Sequence, residues 1–145
     1  MGLDMYLTSD IHLFDEEKIN DVASVLELDN MVDGSMSVEL TLIYWRKANH
    51  IHNWFVKNVQ DGIDECEKHG VNHVMLAELR DVCAQVMKEP ERAEELLPVK
   101  DGLFFGSTMY DERYMSEVTR THNLLDRILN HPKLQSAYIY YRSSW

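Results

Sequence analysis

The chain has 145 residues, 45% of them apolar and 27% charged, the composition of one globular domain that buries roughly 70% of its unfolded surface without disulfides or a structural metal. Fourteen Lys and Arg against 25 Asp and Glu give a net charge of −11, which argues against nonspecific DNA or anionic-membrane binding as the main task. No run approaches the roughly 18 apolar residues of a membrane span, the start carries no basic-then-apolar leader, and two cysteines, Cys66 and Cys83, suit a reducing compartment, so the expected location is the cytoplasm.

At the start of the chain Leu3, Met5 and Leu7 alternate with Asp4 and Tyr6, so residues 1–8 read as a strand. Residues 15–28 follow as a helix, with Ile19, Val22, Ala23 and Leu26 on one stripe and acids in the first turn. After a turn at 30–35 containing Asp33 and Gly34, Val38, Leu40, Leu42 and Tyr44 alternate with Glu39, Thr41 and Ile43 over 37–45, the clearest strand of the chain. Ala48, Ile51, Phe55 and Val59 recur at helical spacing over 47–60. A further stripe, Met75, Leu76, Leu79, Val82, Cys83 and Val86, predicts a helix over 75–87 with Asn72 as its cap. Pro90 interrupts it, and 91–97 adds a turn or two before Pro98. Residues 102–106 read as a short strand, 111–129 as the longest helix, ended by Asn130 and Pro132, and 135–143 as the last strand. The order predicts a single α+β domain over residues 1–145, with a small sheet of about four strands packed against three to five helices. Parallel pairing across the helices stays open, as does strand order.

The densest cluster of chemistry-bearing residues runs from Tyr44 to Trp54. Lys47, His50 and Trp54 lie at spacings of three and four and share a helix stripe beside the apolar one, with Arg46 at its base. A cation, an imidazole and an indole on one stripe suit a planar anion, with Trp54 stacking and Arg46 or Lys47 meeting phosphate or carboxylate; an amphipathic surface helix is the plainer reading. Gly106, Ser107 and Thr108 stand before the longest helix, where backbone donors and the helix dipole favour a phosphate, although Thr108 and Asp111 also read as a simple capping box. Tyr110 follows them, and the C-terminal Tyr138, Tyr140, Tyr141, Arg142 and Trp145 suggest a pocket wall, an interface or a covered sheet edge.

Cys66, His69 and His73 have ligand-like intervals, but Gly70 and the cap at Asn72 break the segment, so no metal is expected and the histidines read as surface or capping residues. Cys83 lies on the apolar stripe and reads as core; no nucleophile elbow is present and no cofactor is expected. Between Asp10 and Asp33 lie eight acids, Asp10, Asp15, Glu16, Glu17, Asp21, Glu27, Asp29 and Asp33, against one base, Lys18, so seven of the 11 excess negative charges fall in 24 residues. That segment is either a solubilising surface or a face for a basic partner.

Five blocks, at residues 1–7, 44–56 (Tyr44, Trp45, Arg46, Lys47 through Trp54, Phe55, Val56), 95–98, 104–112 and 141–145, together resemble a family of small phage and prophage proteins over nearly the whole chain, 8–37 excepted. The resemblance implies a phage-derived protein of the bacterial host cytoplasm and carries no activity or catalytic residues. Three functions are weighed. The first is a binding protein that holds or sequesters an anionic, nucleotide-like small ligand through Tyr44, Arg46, Lys47, His50, Trp54, Ser107, Thr108, Tyr110, Arg142 and Trp145. The second is an acidic inhibitor of a host defence or nucleic-acid enzyme, binding a basic host protein through 10–33. The third is a hydrolase or transferase with His50 or His52 as base. Neither direct nucleic-acid contact nor a membrane is expected.

Overall fold

The computed structural model describes residues 2–145, so Met1, the first residue of the predicted N-terminal strand, lies outside the described residues. Four strands, β1 (Asp4–Leu13), β2 (Met36–Arg46), β3 (His69–Val71) and β4 (Ile139–Ser144), form one sheet in the order β2-β1-β4-β3. Every pairing in it is antiparallel. The helices are α1 (Glu16–Val25), α2 (Asn49–Asn58), α3 (His73–Lys88), the single turn α4 (Ala93–Leu96) and α5 (Glu112–Leu129). The chain therefore adopts the expected α+β class, and the open question of parallel pairing is settled against it.

Alternation along the strands decides which sheet face is covered. Met5 lies across from Trp45 and Ser143, and Leu7 across from Ile43 and Tyr141. All of these are buried, with Ile139 and Val71, under the helices. Tyr6 lies between Tyr44 and Arg142 on the other face, where Tyr44 and Arg142 remain exposed.

Three elements differ from expectation for local reasons. β1 runs five residues past the predicted end at Thr8, because β2 pairs with it as far as Leu13 against Met36, and a bulge between Leu7 and Thr8 breaks the period-two pattern that would have announced it. Residues 102–106 form no strand: Phe104 (φ 65) and Gly106 (φ 97) turn the backbone back, and Phe105 N–H donates to Gly102 O. β4 begins at Ile139, later than expected, since Pro132–Leu134 forms a 3-10 turn and the Gln135 amide donates to Leu129 O and His131 O. The three-residue β3, with Gly70 at its centre, is too short to give a periodic signal.

The core lies between the sheet and three helices. α3 contributes Leu76, Leu79, Cys83 and Val86, so Cys83 is a core residue as expected, and Asn72 caps the helix by accepting from Met75 N–H at 2.8 Å. α5 faces it with Tyr114, Val118, Thr121, Leu125 and Ile128. α2 packs against the sheet and α5, with Phe55 stacked on Tyr141 and His50 against Tyr114, and every residue from Asn49 to Val56 is buried.

One polar bond inside this core gives a direct test. Trp45 Nε1–H donates to Thr121 Oγ1 at 2.8 Å, joining β2 to α5. Thr121→Val keeps the shape but leaves the indole N–H buried and unpaired, a loss of about 1–3 kcal/mol. The expected outcome is a lower urea midpoint with unchanged m-value; an unchanged midpoint would mean that the bond adds nothing to stability.

Candidate functional site

α2 is buried all round yet rich in polar residues, and most of them hold loops. Asn49 Nδ2 donates to Phe105 O at 3.2 Å and Ser107 O at 2.9 Å, while its Oδ1 accepts from Lys100 N–H, so one amide clamps the whole 100–107 segment. Gly106 makes the close approach possible: a Cβ there would sit 2.9 Å from Lys47 Cβ and 3.0 Å from Lys47 O, at a φ that favours glycine. Asn53 donates to Pro98 O and Gln60 to Glu65 O. These residues answer backbone groups that would otherwise be stranded away from water.

His52 is satisfied on both ring nitrogens. Nε2 lies 2.9 Å from Asp64 Oδ1 and Nδ1 2.7 Å from the Tyr141 hydroxyl. A carboxylate only accepts, so in the neutral ring Nε2 carries the hydrogen and Nδ1 accepts from Tyr141. Burial lowers the His52 pKa from its usual 6.5, outweighing the pull of Asp64 towards the charged form, and burial holds the Tyr141 hydroxyl well above 10, so it keeps its proton. Lys100 Nζ closes the chain at 3.2 Å from Asp64 Oδ2. The His52 side chain has 0% exposure.

Three buried side-chain atoms are left unanswered, Thr8 Oγ1, Gln60 Oε1 and Nε2 of His50, and only the last is on α2. His50 is 4% exposed, stacks obliquely on Tyr114 with ring centroids 4.3 Å apart, and its Nε2 is buried with no hydrogen-bond partner. Burial alone pulls its pKa down to about 3. Two recesses border this residue. A narrow one of about 20 Å³, room for a water-sized group, lies against Lys47, Ser107, Asp111, Arg113, Tyr114 and Glu117. A wider cleft of about 290 Å³ lies against Asn53, Trp54, Lys57, Asn58 and the 95–98 turn.

The acids lining these recesses are already committed. Asp111 accepts from Tyr114 N–H at 3.0 Å as the α5 cap, Glu117 pairs with Arg120 and Glu95 with Arg92. The cations are not: Lys47, Lys57 and Arg113 enter no ion pair among the described residues.

The structure thus brings Lys47, His50, Trp54 and Ser107 together and separates the rest of the predicted set. Tyr44, Arg46 and Arg142 belong to the open sheet face: Tyr44 donates to Asp4, Arg46 lies 4.0 Å from the same carboxylate, and the Arg142 guanidinium sits 4.8 Å from the Tyr6 ring centre. Arg46 precedes the turn at Lys47 (φ 57) and follows the buried Trp45, so it points away from the helices. Trp145 packs edge-on to Phe105 at 6.1 Å, and the Tyr110 hydroxyl accepts from Val99 N–H. Thr108 is exposed and does not cap the helix; Asp111, extended at φ −101, ψ −171, does so one position before Glu112. His50 and His52 are core rather than surface or capping residues, and Trp54, 8% exposed, is a wall of the cleft rather than an open stacking platform. Cys66 is exposed, His69 bonds Glu65 and His73 bonds Leu134 O, and no group of three or more His, Cys, Asp or Glu gathers as a metal site among the described residues. Lys57 and Arg113 escaped notice in the sequence because each looks like an ordinary solvated helix residue; only the fold sets them beside His50.

Comparison with protein-family models, with curated proteins and with solved structures yields no match. No helix among the described residues is long and apolar enough to cross a membrane.

The buried imidazoles set a pH dependence. Below pH 6.5 the unfolded chain takes up a proton at His50 that the native state, with its pKa near 3, refuses, so stability present above pH 6.5 is lost as pH falls. His52, lowered in the same direction, adds to the loss. Each group contributes up to about 1.4 kcal/mol per pH unit. Urea midpoints are expected to fall between pH 6.5 and 5, where most carboxylates stay ionised, and to fall less steeply in His50→Gln; equal slopes in both proteins would contradict a buried neutral His50.

Proposed function

We propose that this protein binds, and does not chemically alter, a small anionic ligand of nucleotide-like chemistry where α2 meets the start of α5 and the 95–98 turn. The observation that carries the reading is His50: its Nε2 is buried and without a protein partner, and the residue borders two recesses whose acids are committed and whose cations are not. An unanswered buried polar group costs about 1–3 kcal/mol, a cost that a ligand's hydrogen bond would remove. Lys47 and Arg113 on one side and Lys57 on the other supply positive charge to an otherwise acidic chain.

The size of the cleft narrows the ligand. At about 290 Å³ it stands at the lower edge of the 300–1,000 Å³ range of small-molecule sites, which suits a mononucleotide or a smaller phosphate or carboxylate better than a dinucleotide. Binding is favoured over catalysis by the imidazoles: a base at about pH 3 is far from neutral operating conditions, and His52 is sealed from solvent. The phage setting implied by the sequence resemblance suits sequestration of a signalling nucleotide.

Titration calorimetry with a panel of linear and cyclic mononucleotides and with inorganic phosphate tests the reading. At least one panel member is expected to bind, and Lys57→Ala and Arg113→Ala are each expected to weaken it about 10- to 100-fold, the worth of one charge-assisted hydrogen bond at 1.5–3 kcal/mol. Arg46→Ala, on the far sheet face, is expected to leave affinity unchanged. The ligand recovered for mass analysis should be intact. Absence of binding across the panel, or binding indifferent to both cations, would overturn the proposal.

A further inference from the structure

We propose that the groove formed by α1 and the 30–34 segment is a docking site for a basic, amphipathic segment of a partner protein. It shares no residue with the His50 recesses. α1 lies in the long connection from β1 to β2 and buries only Ile19 and Ala23, neither of which joins the main core. Beside it a depression of about 600 Å³ is lined by Phe14, Ile19, Asn20, Asn30 and Val32, with the acids Glu16 and Asp33 among its walls.

This region holds apolar surface in water. Phe14 is 77% exposed, Val25 83% and Met31 75%, and Leu26 and Leu28 are exposed as well. Of these, Phe14 lines the depression together with Ile19 and Val32, and exposed apolar surface rimmed by polar groups marks interaction sites. None of the exposed side chains stabilises the chain by burial where it stands.

Charge identifies the occupant. Of the eight acids in this segment, Asp15 caps α1 and Asp10 pairs with Lys68. The other six, Glu16, Glu17, Asp21, Glu27, Asp29 and Asp33, are exposed, with Lys18 the one base among them. That field repels phosphate backbones and anionic headgroups, and a second copy of the chain would bring the same acids and its own net charge of −11. It attracts Lys and Arg and fixes their register. An amphipathic helix laid into a groove uses apolar anchors on one face. Here the anchor would pack between Phe14 and Val32 while flanking cations meet Glu16, Glu17 and Asp21.

The test uses the full chain and a labelled 16-residue peptide of Leu and Lys patterned at helical period. Controls are a matched Leu/Glu peptide, a Lys peptide without the apolar stripe, and vesicles of phosphatidylcholine with phosphatidylglycerol. The Leu/Lys peptide is expected to bind, to shift amide resonances confined to residues 10–39, and to weaken as salt is raised, since exposed charges are screened beyond about 8 Å at physiological ionic strength. Phe14→Ser, and separately the triple change Glu16→Gln, Glu17→Gln, Asp21→Asn, should each weaken it at least fivefold. Phe14 and the three acids are exposed, and thermal melts of each variant should match the wild type. Any of four results would overturn the proposal: equal binding by the Lys-only or Leu/Glu peptide, indifference to Phe14→Ser, resonance shifts outside residues 10–39, or vesicle binding in place of peptide binding. A concentration-dependent dimer that Phe14→Ser dissolves would assign the groove to a second copy instead.

Discussion

A helix buried on every side must answer every polar group around it, and α2 is such a helix. The sheet lies on one side of it, α5 on another, and the 60–68 and 95–107 connections pass its flanks. Connections carry unpaired backbone groups, and near a buried helix these have little water to meet. An all-apolar α2 would leave them stranded. Asn49, His52 and Asn53 on the helix, with Gln60 just after it, supply donors and acceptors at the places where the connections pass, so the order of the loops depends on the polarity of the helix. Replacing any of these by an apolar residue would strand its loop partner rather than enlarge the core.

The same constraint explains how far the sequence could be read. Elements with strong periodicity were legible: the 37–45 segment became β2, although it buries Ile43 and Trp45 and exposes Leu40 and Tyr44, the reverse of the face its alternation suggested, while the Leu76, Leu79, Cys83, Val86 stripe became α3, and Asn72 capped it. α5 was legible as well, because its moment points one way. α2 was legible as a helix but not as a buried one, since His50, Asn53 and Trp54 look like a solvated stripe when the loops that cover them are unknown. The candidate site suffered from the same blindness. Arg46 and Lys47 are neighbours in sequence, yet a left-handed Lys47 at φ 57 turns the chain from sheet to helix between them and sends their side chains to different faces. Arg113 and Glu117 come from α5, far in sequence from His50, and Lys57 lies seven residues on along α2, so no local pattern marks the three as its neighbours.

Charge is partitioned in the molecule in a way its net value conceals. The arm from Asp10 to Asp33 carries most of the negative excess, and the recesses around His50 gather cations whose acidic neighbours are occupied by caps and local pairs. A net charge of −11 therefore describes the long-range field that an approaching macromolecule meets. It does not describe the environment of a small ion inside a recess, where nearby groups and reduced screening dominate. An acidic surface and the proposed small-anion site are accordingly compatible within one chain.

The two histidines of α2 provide the comparison on which the ligand reading rests. They are two residues apart on one helix, equally removed from water, and both kept neutral by burial. For His52 the fold supplies a carboxylate on one side and a hydroxyl on the other, from Asp64 and Tyr141, which lie far apart in sequence. For His50 it supplies an aromatic face and leaves Nε2 unanswered. A buried imidazole that served packing alone would be served as well by Phe or Leu, without the desolvation of a polar nitrogen. Under the proposal that these recesses hold a ligand, the incomplete histidine is the group that ligand would answer, and Lys47, Lys57 and Arg113 beside the two recesses would favour an anion.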